Sequence, residues 1–350
     1  MISTLTWPTL LTQLLAGENL TITEATWAMN QVITGHATNG QLAGFLIALK
    51  SKGETVDELV GFRDAVLANA VPLPVNAMAL DIVGTGGDRH NTVNISSMAS
   101  IVCAAAGVPV IKHGNRAASS ASGSSDVLSA LGIDLSLPSE RVAEVLDAVG
   151  ITFAFAAQFH PGFRHAAEVR RELGIPTVFN FLGPLCNPAR PEASAVGVAQ
   201  LDRVALMVGV FQTRDATALV FRGDDGLDEL TTTGHSHIWE VSRGHVIEHD
   251  LDPLDFGIAR SDIADLVGGD PEHNAAVVRS VVAGDSGPIR DIVLLNAAAG
   301  LVAFALAQDS TQILRPINDR FREQLAIATA AIDTGGAAKK LDAWISATAD

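Results

Sequence analysis

A glycine-rich segment, GTGGD at residues 84–88, directly follows a short apolar run that predicts a buried strand. Glycines let backbone N–H groups approach an anion closely, and the positive end of a following helix favours the same anion. The loop continues with hydroxyl and amide side chains: Asn91, Thr92, Asn94, Ser96 and Ser97. This pattern predicts an anion-binding loop, although the glycines alone would equally suit a tight strand-to-helix turn. The string is neither the GxGxxG of dinucleotide sites nor the GxxxxGK of a P-loop.

A second polar segment, KHGNRAASS at residues 112–120, follows the next predicted strand and continues to Ser124. Ligands of open α/β sheets bind beyond the carboxyl ends of the strands, where this segment would lie. The chain has 23 Lys and Arg against 39 Asp and Glu, a net charge of −16. The basic residues Lys112 and Arg116 in such a chain favour an anionic ligand over the alternative, a solvated polar loop.

An acidic segment, DDGLDE at residues 224–229, follows a predicted strand that ends at Phe221. Adjacent carboxylates at a strand end suit Mg²⁺, which binds one or two carboxylates together with ligand phosphates and water. A solvated acidic turn is the alternative. The metal interpretation gains support because a polyphosphate site needs a cation to neutralise its charge.

A predicted helix from Gly162 to Leu173 carries three arginines: Arg164, Arg170 and Arg171. Arginine binds carboxylates through a two-pronged fork, so this helix could hold an acidic second substrate. An exposed helix with pairs such as Glu168 and Arg164 is the other interpretation. His113 and His160 could handle protons or could simply make orienting hydrogen bonds.

The elements that must position these residues fall into two parts. Four short amphipathic segments with short turns predict a small antiparallel helical bundle over the first 70 residues: Leu10 to Leu15, Ala25 to Ile33, Leu42 to Leu49 and Val56 to Val66. The segment VPLP at residues 71–74 predicts a linker. Strands then alternate with helices, which predicts an α/β domain with a central, mostly parallel sheet. Residues 237–249 predict a hairpin that turns at Arg243-Gly244. We expect a helical domain over residues 1–72, completed by the helix near residues 162–185, and an α/β domain over residues 73–350.

Composition excludes several classes of protein. Hydrophobic residues make up 48% and charged residues 18%, which indicates a sizeable core. The acidic surface disfavours nucleic acids and anionic membranes. Cys103 and Cys186 stand apart, which favours a reducing, cytoplasmic setting over a disulfide framework or zinc site. The apolar stretch 292–307 contains Asn296 and Gly300 and is short for a membrane span, so a buried core helix is expected.

Together these strings resemble the anthranilate phosphoribosyltransferase family, whose members join anthranilate to phosphoribosyl pyrophosphate (PRPP) in tryptophan synthesis. Five separated matches run in the family's order: GTGGD at 84–88, NTVNISS at 91–97, KHGNRAASSASGSSDVLSALG at 112–132, FHPGFRHAAEVRRELGIPTVFNFLGPLCNPAR at 159–190 and GLDE at 226–229. The segment ATNGQLAGFLIALKSKGET at 37–55 also resembles the family. Several matches in order are far more specific than any single motif.

The resemblance implies a fold shared with pyrimidine nucleoside phosphorylases, a small helical domain hinged to a large α/β domain, and a homodimer formed through the helical domain. It also implies two Mg²⁺ ions per subunit, served by Ser96, Asp228 and Glu229. The implied PRPP contacts are Gly84, Gly87, Asp88, Thr92, Asn94, Ile95, Ser96, Ser97, Lys112, His113, Gly114, Asn115, Arg116, Ala117, Ala118, Ser119, Ser120 and Ser124. The implied anthranilate contacts are Gly84, Asn115, His160, Phe163 and Arg170.

The implied chemistry is displacement of pyrophosphate from C1 of the ribose by an aromatic amine, with Lys112, His113 and Arg170 as catalytic residues. Phe163 stands where relatives often have Tyr, so one hydroxyl contact to the acceptor is absent. Two alternatives remain: a pyrimidine nucleoside phosphorylase of the same fold, and a non-enzymatic relative that binds nucleic acid. The KHGNR and GLDE strings disfavour the first, and the charge of −16 disfavours the second.

Overall fold

The computed structural model describes residues 5–116, 122–214 and 216–349. Its N-terminal part is a bundle in which every helix follows a threonine cap. Each cap side chain accepts a hydrogen bond from the backbone N–H three residues on, a donor that a helix end leaves without an internal partner. The helices are α1 (Trp7–Leu15), α2 (Ile22–Ile33), α3 (Asn39–Lys52) and α4 (Val56–Ala68).

The predicted bundle is confirmed, but three of its helices begin three residues before the predicted starts. The predicted starts are Leu10, Ala25 and Leu42, and the observed starts are Trp7, Ile22 and Asn39. The difference arises because the threonine cap, rather than the first residue of the apolar stripe, determines where each helix begins. The cap is a local hydrogen bond, and the spacing of hydrophobic residues carries no information about it.

The second part of the chain forms a mostly parallel sheet, as predicted. In the described residues its strands lie in the order β3-β2-β1-β4-β5-β6-β7. The pairs from β3 through β5 are parallel, and β6 and β7 are added antiparallel. The strands are β1 (Leu80–Gly84), β2 (Val110–Gly114), β3 (Ile151–Phe155), β4 (Ala193–Gly197), β5 (Thr217–Gly223), β6 (Ser236–Ser242) and β7 (His245–Leu251).

The strand order reverses between β1 and β4, because the chain adds β2 and β3 on one side of β1 and then crosses to the other. Such a reversal opens a crevice at the carboxyl ends of the two strands, where open α/β sheets bind ligands. The predicted hairpin is confirmed as β6 and β7. Its turn residues Arg243 and Gly244 have φ angles of 49° and 78°, typical of a two-residue hairpin turn.

Helices cover both faces of the sheet. Residues that alternate along β5 show the division: Leu219 and Phe221 belong to one core, whereas Ala218 and Val220 belong to the core shared with the bundle. The helices are α5 (Ile95–Ala105), α6 (Ser124–Ala130), α7 (Ser139–Val149), α8 (Ala156–Phe159), α9 (Arg164–Leu173), α10 (Leu201–Gln212), α11 (Pro271–Ala283), α12 (Pro288–Gln308), α13 (Ile317–Asp333) and α14 (Gly336–Ala349).

Helix α12 confirms the expectation of a buried apolar helix. It is the one helix in the described ranges that is long and apolar enough to cross a membrane, and 78% of its most apolar 18-residue window is buried within the protein. It packs against α5, α13, β4 and β5. The apolar stretch is therefore explained as the core helix of the α/β part.

Helix α9 packs with the bundle although it follows β3 in the chain. Its residues Ala166 and Val169 are buried in the bundle-side core. Gly162, just before α9, lies so close to α2 that an added Cβ would be 2.3 Å from Ile33 Cγ2. On the surface, Asn39 donates a hydrogen bond of 3.0 Å to Glu168. These contacts fit the expected completion of the helical domain, while the boundary at residue 72 stays a prediction.

We predict that Gly61→Val destabilises the bundle strongly. A Cβ at position 61 would lie 2.6 Å from the Ile22 carbonyl oxygen and 2.7 Å from Ala25 Cβ, so α2 and α4 would have to separate. Overpacking of this kind costs about 1–3 kcal/mol or more, which thermal unfolding would measure as a lower Tm. The control is Gly44→Ala in α3, where the nearest atom is 3.8 Å away and the better helix propensity should raise Tm. Equal effects of both substitutions would contradict the packing argument.

Candidate active site

The site begins with two glycines at the carboxyl ends of β1 and β4. Gly84 and Gly197 are partners in the parallel register, and the backbone of Asp228 lies directly over them. A Cβ at Gly197 would be 1.6 Å from the Asp228 carbonyl oxygen, and one at Gly84 would be 2.1 Å from Asp228 Oδ2. The carboxylate accepts a 2.6 Å hydrogen bond from the Gly86 N–H. Gly84 thus makes room for Asp228, whereas the sequence pattern indicated only close approach of a ligand.

The loop after β1 has an unusual backbone. Gly86, Gly87, Arg89 and Asn91 all have positive φ angles, and such alternation points N–H groups into a concave anion-binding surface. Pairing with residues 266–268 fixes the end of the loop, through an isolated antiparallel bridge made of two backbone hydrogen bonds. This geometry is compatible with an anion-binding loop, and anion binding there stays a prediction.

The side chain of Asn94 ties the start of α5 to two neighbouring segments. Asn94 donates to the Ser122 carbonyl at 3.1 Å and accepts from Asn274 Nδ2 at 2.9 Å. Asn94 therefore does not cap α5 with its own side chain. Ser97 Oγ is buried and makes no hydrogen bond to the described residues. Such a hydroxyl has its bonding capacity left for a ligand or water.

Lys112 is almost fully buried, at 1% exposure, at the centre of the site. Its Nζ donates to the Ile82 carbonyl oxygen at 2.5 Å and to Ser96 Oγ at 3.0 Å. Burial lowers the pKa of Lys112, whereas attraction to Asp81, Glu229 and Asp228 acts in the opposite direction. Lys112 is thus the positive centre around which the carboxylates gather.

Three carboxylates come together beside the loop. Burial, and then repulsion from Asp88, raise the pKa of Asp228 to about 7. Burial and repulsion from Asp228 also raise the pKa of Glu229 well above its usual value, although Lys112 and the Ser96 N–H oppose that shift. The Ser96 N–H at the start of α5 therefore serves Glu229. The site holds more negative charge than Lys112 can balance, so a bound cation would relieve it.

The same residues fit Mg²⁺ by their donor chemistry. Ser96, Asp228 and Glu229 offer hard oxygen donors, and the excess negative charge around Lys112 calls for a cation. In the part of the chain that the structure describes, no group of three or more His, Cys, Asp or Glu side chains is arranged to hold a metal alone. Mg²⁺ in general takes few protein ligands and completes its shell with phosphate and water. Asp225, in contrast, accepts hydrogen bonds from Thr231 and Thr233 and shapes the turn.

A chain of aromatic rings leads from β2 to α9. The His113 and His160 ring centroids are 5.2 Å apart, and Phe163 lies 5.4 Å from His160 and 5.7 Å from Phe179. The Arg170 guanidinium lies 5.2 Å from the centre of the Phe179 ring. Arg170 has no ion pair with any described carboxylate, which leaves its fork available to a ligand.

Both histidines in this row of aromatic rings, His113 and His160, are neutral near pH 7. Burial lowers the pKa of His113 to about 3, with a further contribution from His160, and burial lowers the pKa of His160 to about 4. The carbonyls of Ala154 and Cys186 lie 2.8 Å from His113 Nδ1 and His160 Nε2, so these two nitrogens must carry the protons. His113 Nε2 and His160 Nδ1 are therefore acceptors, and the latter is buried without a partner among the described residues.

The remaining predicted residues lie at the open edge beyond β2. Asn115 and Arg116 are exposed, Asn115 Oδ1 accepts from the Arg116 N–H at 2.9 Å, and Ser124 begins α6. Gly114 is the last residue of β2, Thr92 pairs with Val267, and Ile95 begins α5. Four predicted contacts lie outside the described residues: Ala117, Ala118, Ser119 and Ser120.

A buried support beneath the site was not predicted from the sequence. Asp81 accepts hydrogen bonds from the His113 N–H at 3.1 Å and from Asn187 Nδ2 at 2.9 Å. Asn187 also donates to the Ile111 carbonyl at 2.8 Å. Burial raises the pKa of Asp81 to about 6, with Lys112 acting against it. One signal was present in the sequence: an aspartate inside the apolar run ALDIV is unusual for a buried strand.

Comparisons with known proteins match both parts of the chain. The family model described as "Glycosyl transferase family, helical bundle domain" matches residues 8–70, and that described as "Glycosyl transferase family, a/b domain" matches residues 76–338. The chain is 70% identical to an anthranilate phosphoribosyltransferase of Leifsonia xyli, over 99% of this chain and 100% of that protein.

Two solved structures are also similar. The anthranilate phosphoribosyltransferase of Thermus thermophilus is 39% identical, with a TM-score of 0.89 over 97% of this chain and 99% of its own. The enzyme of Saccharomyces cerevisiae, solved in complex with PRPP and Mg, is 26% identical, with a TM-score of 0.87 over 98% of both chains.

We predict that His160→Gln reduces the loss of stability in acid. An unfolded histidine takes up a proton near pH 6.5, whereas native His160 stays neutral to about pH 4, so its contribution to stability is lost as pH falls through that window. A tenfold difference in proton affinity between the two states corresponds to about 1.4 kcal/mol of folding free energy. Urea unfolding of both proteins from pH 7 to pH 4 should show a shallower decline for the variant, which keeps a donor for the Cys186 carbonyl. The control is His36→Gln at an exposed position, and parallel curves for all three proteins would contradict the assignment.

Proposed function

Since this chain belongs to the anthranilate phosphoribosyltransferase family, and has the helical bundle domain and the a/b domain of the glycosyl transferase family, we propose that it transfers the phosphoribosyl group of PRPP to the amine of anthranilate. Pyrophosphate is released, and the reaction serves tryptophan synthesis. One observation carries the proposal: the N–H-rich loop, Lys112 and the pair Asp228 and Glu229 meet at the carboxyl ends of β1 and β4, where the strand order reverses.

The loop after β1 and the start of α5 are the donor side of the site. Their backbone N–H groups, together with the hydroxyls of Thr92, Ser96 and Ser97, suit the oxygens of a sugar diphosphate. Asn94, Asp88 and Gly87 would border the same ligand. The exposed residues Asn115 and Arg116 and the start of α6 at Ser124 would close its other side. We infer that PRPP binds between these two segments.

Ser96, Asp228 and Glu229 would hold Mg²⁺, and we propose two ions per subunit. The bound metal would neutralise negative charge on the departing pyrophosphate. Lys112 contributes by fixing Ser96 through its hydrogen bond and by opposing, through its charge, the rise in the pKa of Glu229. Because its ammonium is buried, Lys112 acts on the donor mainly through these neighbours.

The aromatic chain from His113 to Arg170 is the acceptor side. The Arg170 fork would bind the anthranilate carboxylate, since it lies desolvated over Phe179 with no competing carboxylate among the described residues. His160 and Phe163 would line the ring of the acceptor. Holding the amine close to C1 of the ribose supplies a large part of the rate enhancement for a displacement of this type.

A strong general base is not required, because an aromatic amine is already neutral at pH 7. His113 presents a free Nε2 acceptor, because its Nδ1 proton is bonded to the Ala154 carbonyl. It can therefore orient the amine and accept a proton late in the reaction. Its low pKa means that it would pass that proton on quickly to solvent or pyrophosphate.

We further propose a homodimer that forms through the helical domain and a cytoplasmic location, in keeping with two free, buried cysteines. Anthranilate is favoured over a pyrimidine nucleoside as the second substrate because Arg170 offers a fork for a carboxylate. A nucleic-acid ligand stays disfavoured by the net charge of −16.

The direct test follows the loss of anthranilate fluorescence after addition of PRPP, with and without Mg²⁺. We expect turnover only with the metal, and we expect the double variant Asp228→Asn/Glu229→Gln to lose turnover by at least about 100-fold because its donors are neutral. Asp224→Asn, at an exposed neighbour in the same acidic segment, is the control and should behave like wild type. Turnover that is independent of Mg²⁺ in both the double variant and the Asp224→Asn control would refute the metal site.

Arg170→Gln should raise the KM for anthranilate at least about tenfold and leave the KM for PRPP within about twofold. Loss of a two-pronged ionic hydrogen bond to the acceptor carboxylate accounts for the change. Arg171→Gln, at the exposed position next to it on α9, serves as the matched control. If both substrates were affected equally, Arg170 would not be the acceptor-binding residue.

A further inference from the structure

We propose that Asn296, in the middle of the apolar core helix α12, is a positioning residue that sets where Asp228 and Glu229 lie above the ends of β1 and β4. The inference rests on the proposed function, because it concerns the same carboxylates. Asn296 is fully buried and would not contact either substrate itself.

Asn296 holds the backbone of Leu230 at two points. Its Oδ1 accepts from the Leu230 N–H at 2.9 Å, and its Nδ2 donates to the Leu230 carbonyl at 2.9 Å. The second Nδ2 proton goes to the Ile292 carbonyl one turn earlier in α12, at 2.9 Å. Both amide protons and the amide oxygen are thereby used, which is the condition under which a buried amide is tolerated.

The two hydrogen bonds from the Asn296 amide to the Leu230 backbone, which we call the clamp, take the place of pairing with a neighbouring strand. Residues 227–231 belong to no strand or helix, yet Leu227 and Leu230 are fully buried, so their backbone groups need partners. The side chain of Asn296 presents the donor and acceptor that a neighbouring strand would otherwise supply. A leucine at position 296 would suit the apolar helix better, which indicates that the amide serves the segment it binds rather than α12.

The position of α12 on the sheet makes the clamp precise. Gly300, one turn after Asn296 on the same face of the helix, lies so close to β1 that an added Cβ would be 2.7 Å from Ile82 Cδ1. The Asp228 backbone is in turn confined by the close approach of Gly84 and Gly197. The acidic segment is therefore held both by a helix amide, at Leu230, and by the ends of two strands, at Asp228, with Glu229 between these two points.

Loss of the clamp should make the positions of the Asp228 and Glu229 carboxylates less fixed, and it should leave the binding of anthranilate unchanged. Supporting residues around metal ligands typically change metal affinity or activity by about 10–100-fold when removed. We therefore expect Asn296→Leu to raise both the half-saturating Mg²⁺ concentration and the KM for PRPP at least about tenfold. The KM for anthranilate should change less than about twofold.

The experiment combines these kinetics with hydrogen exchange of the ligand-free protein. In Asn296→Leu the amides of residues 227–231 should exchange faster than in wild type, a readout that needs neither metal nor substrate. Asn296→Ser, which keeps one hydrogen-bonding group in a smaller side chain, should give intermediate values and serves if the leucine variant does not fold. Val302→Ala, a truncation at a buried position of the same helix, is the control for general destabilisation.

Unchanged exchange over residues 227–231 together with unchanged Mg²⁺ and PRPP dependence would overturn the proposal. So would equal changes in Val302→Ala, since these would reflect helix stability alone. Absence of transferase activity in the wild-type protein would refute the proposed function instead, and the exchange measurement would then still decide whether Asn296 holds the segment.

Discussion

The site depends on the absence of two side chains. Gly84 and Gly197 end two neighbouring parallel strands, and the space they leave is filled by the backbone and carboxylate of Asp228. Any side chain at position 197 would overlap the Asp228 carbonyl. This constraint brings a segment that follows β5 back across the sheet to the point where strand order reverses, so that its acidic residues face the N–H-rich loop after β1.

Charge balance follows from that arrangement. Asp81, Asp228 and Glu229 surround one buried ammonium group, that of Lys112, and all three carboxyl groups have raised pKa values, with Asp88 adding negative charge beside Asp228 and Glu229. A site with this surplus of negative charge cannot bind a diphosphate by electrostatics alone. A divalent cation between the carboxylates and the phosphates would satisfy both, which explains how a chain of charge −16 could bind an anionic sugar donor.

Much of this organisation could be predicted from the sequence, because it depends on local signals. The bundle, the alternating strands and helices, the hairpin at Arg243-Gly244 and the buried helix over residues 292–307 all follow from periodicity and turn residues. Helix α10, which links β4 to β5, and α14 were not singled out. Periodicity also could not locate the helix starts, which the threonine caps determine.

The supports of the site could not be predicted in the same way, because their partners lie far apart in the chain. Asn187 contacts Asp81 across 106 residues, and Asn296 contacts Leu230 across 66. In the sequence, Gly197 is an ordinary glycine at a strand end, and only the fold shows that the Asp228 backbone lies directly over it. The patterns GTGGD and DDGLDE indicated candidate site residues, and the fold was needed to show how these residues lie together.

The most direct measurement is calorimetric binding of PRPP, with Mg²⁺ present, to Gly197→Ala. Position 197 touches no predicted ligand, so the substitution acts only through the Asp228 backbone. We expect a folded protein whose affinity falls at least about tenfold, while Gly183→Ala, with nothing within 4 Å, binds normally. A folded Gly197→Ala protein that binds PRPP with wild-type affinity would contradict the role of this close approach.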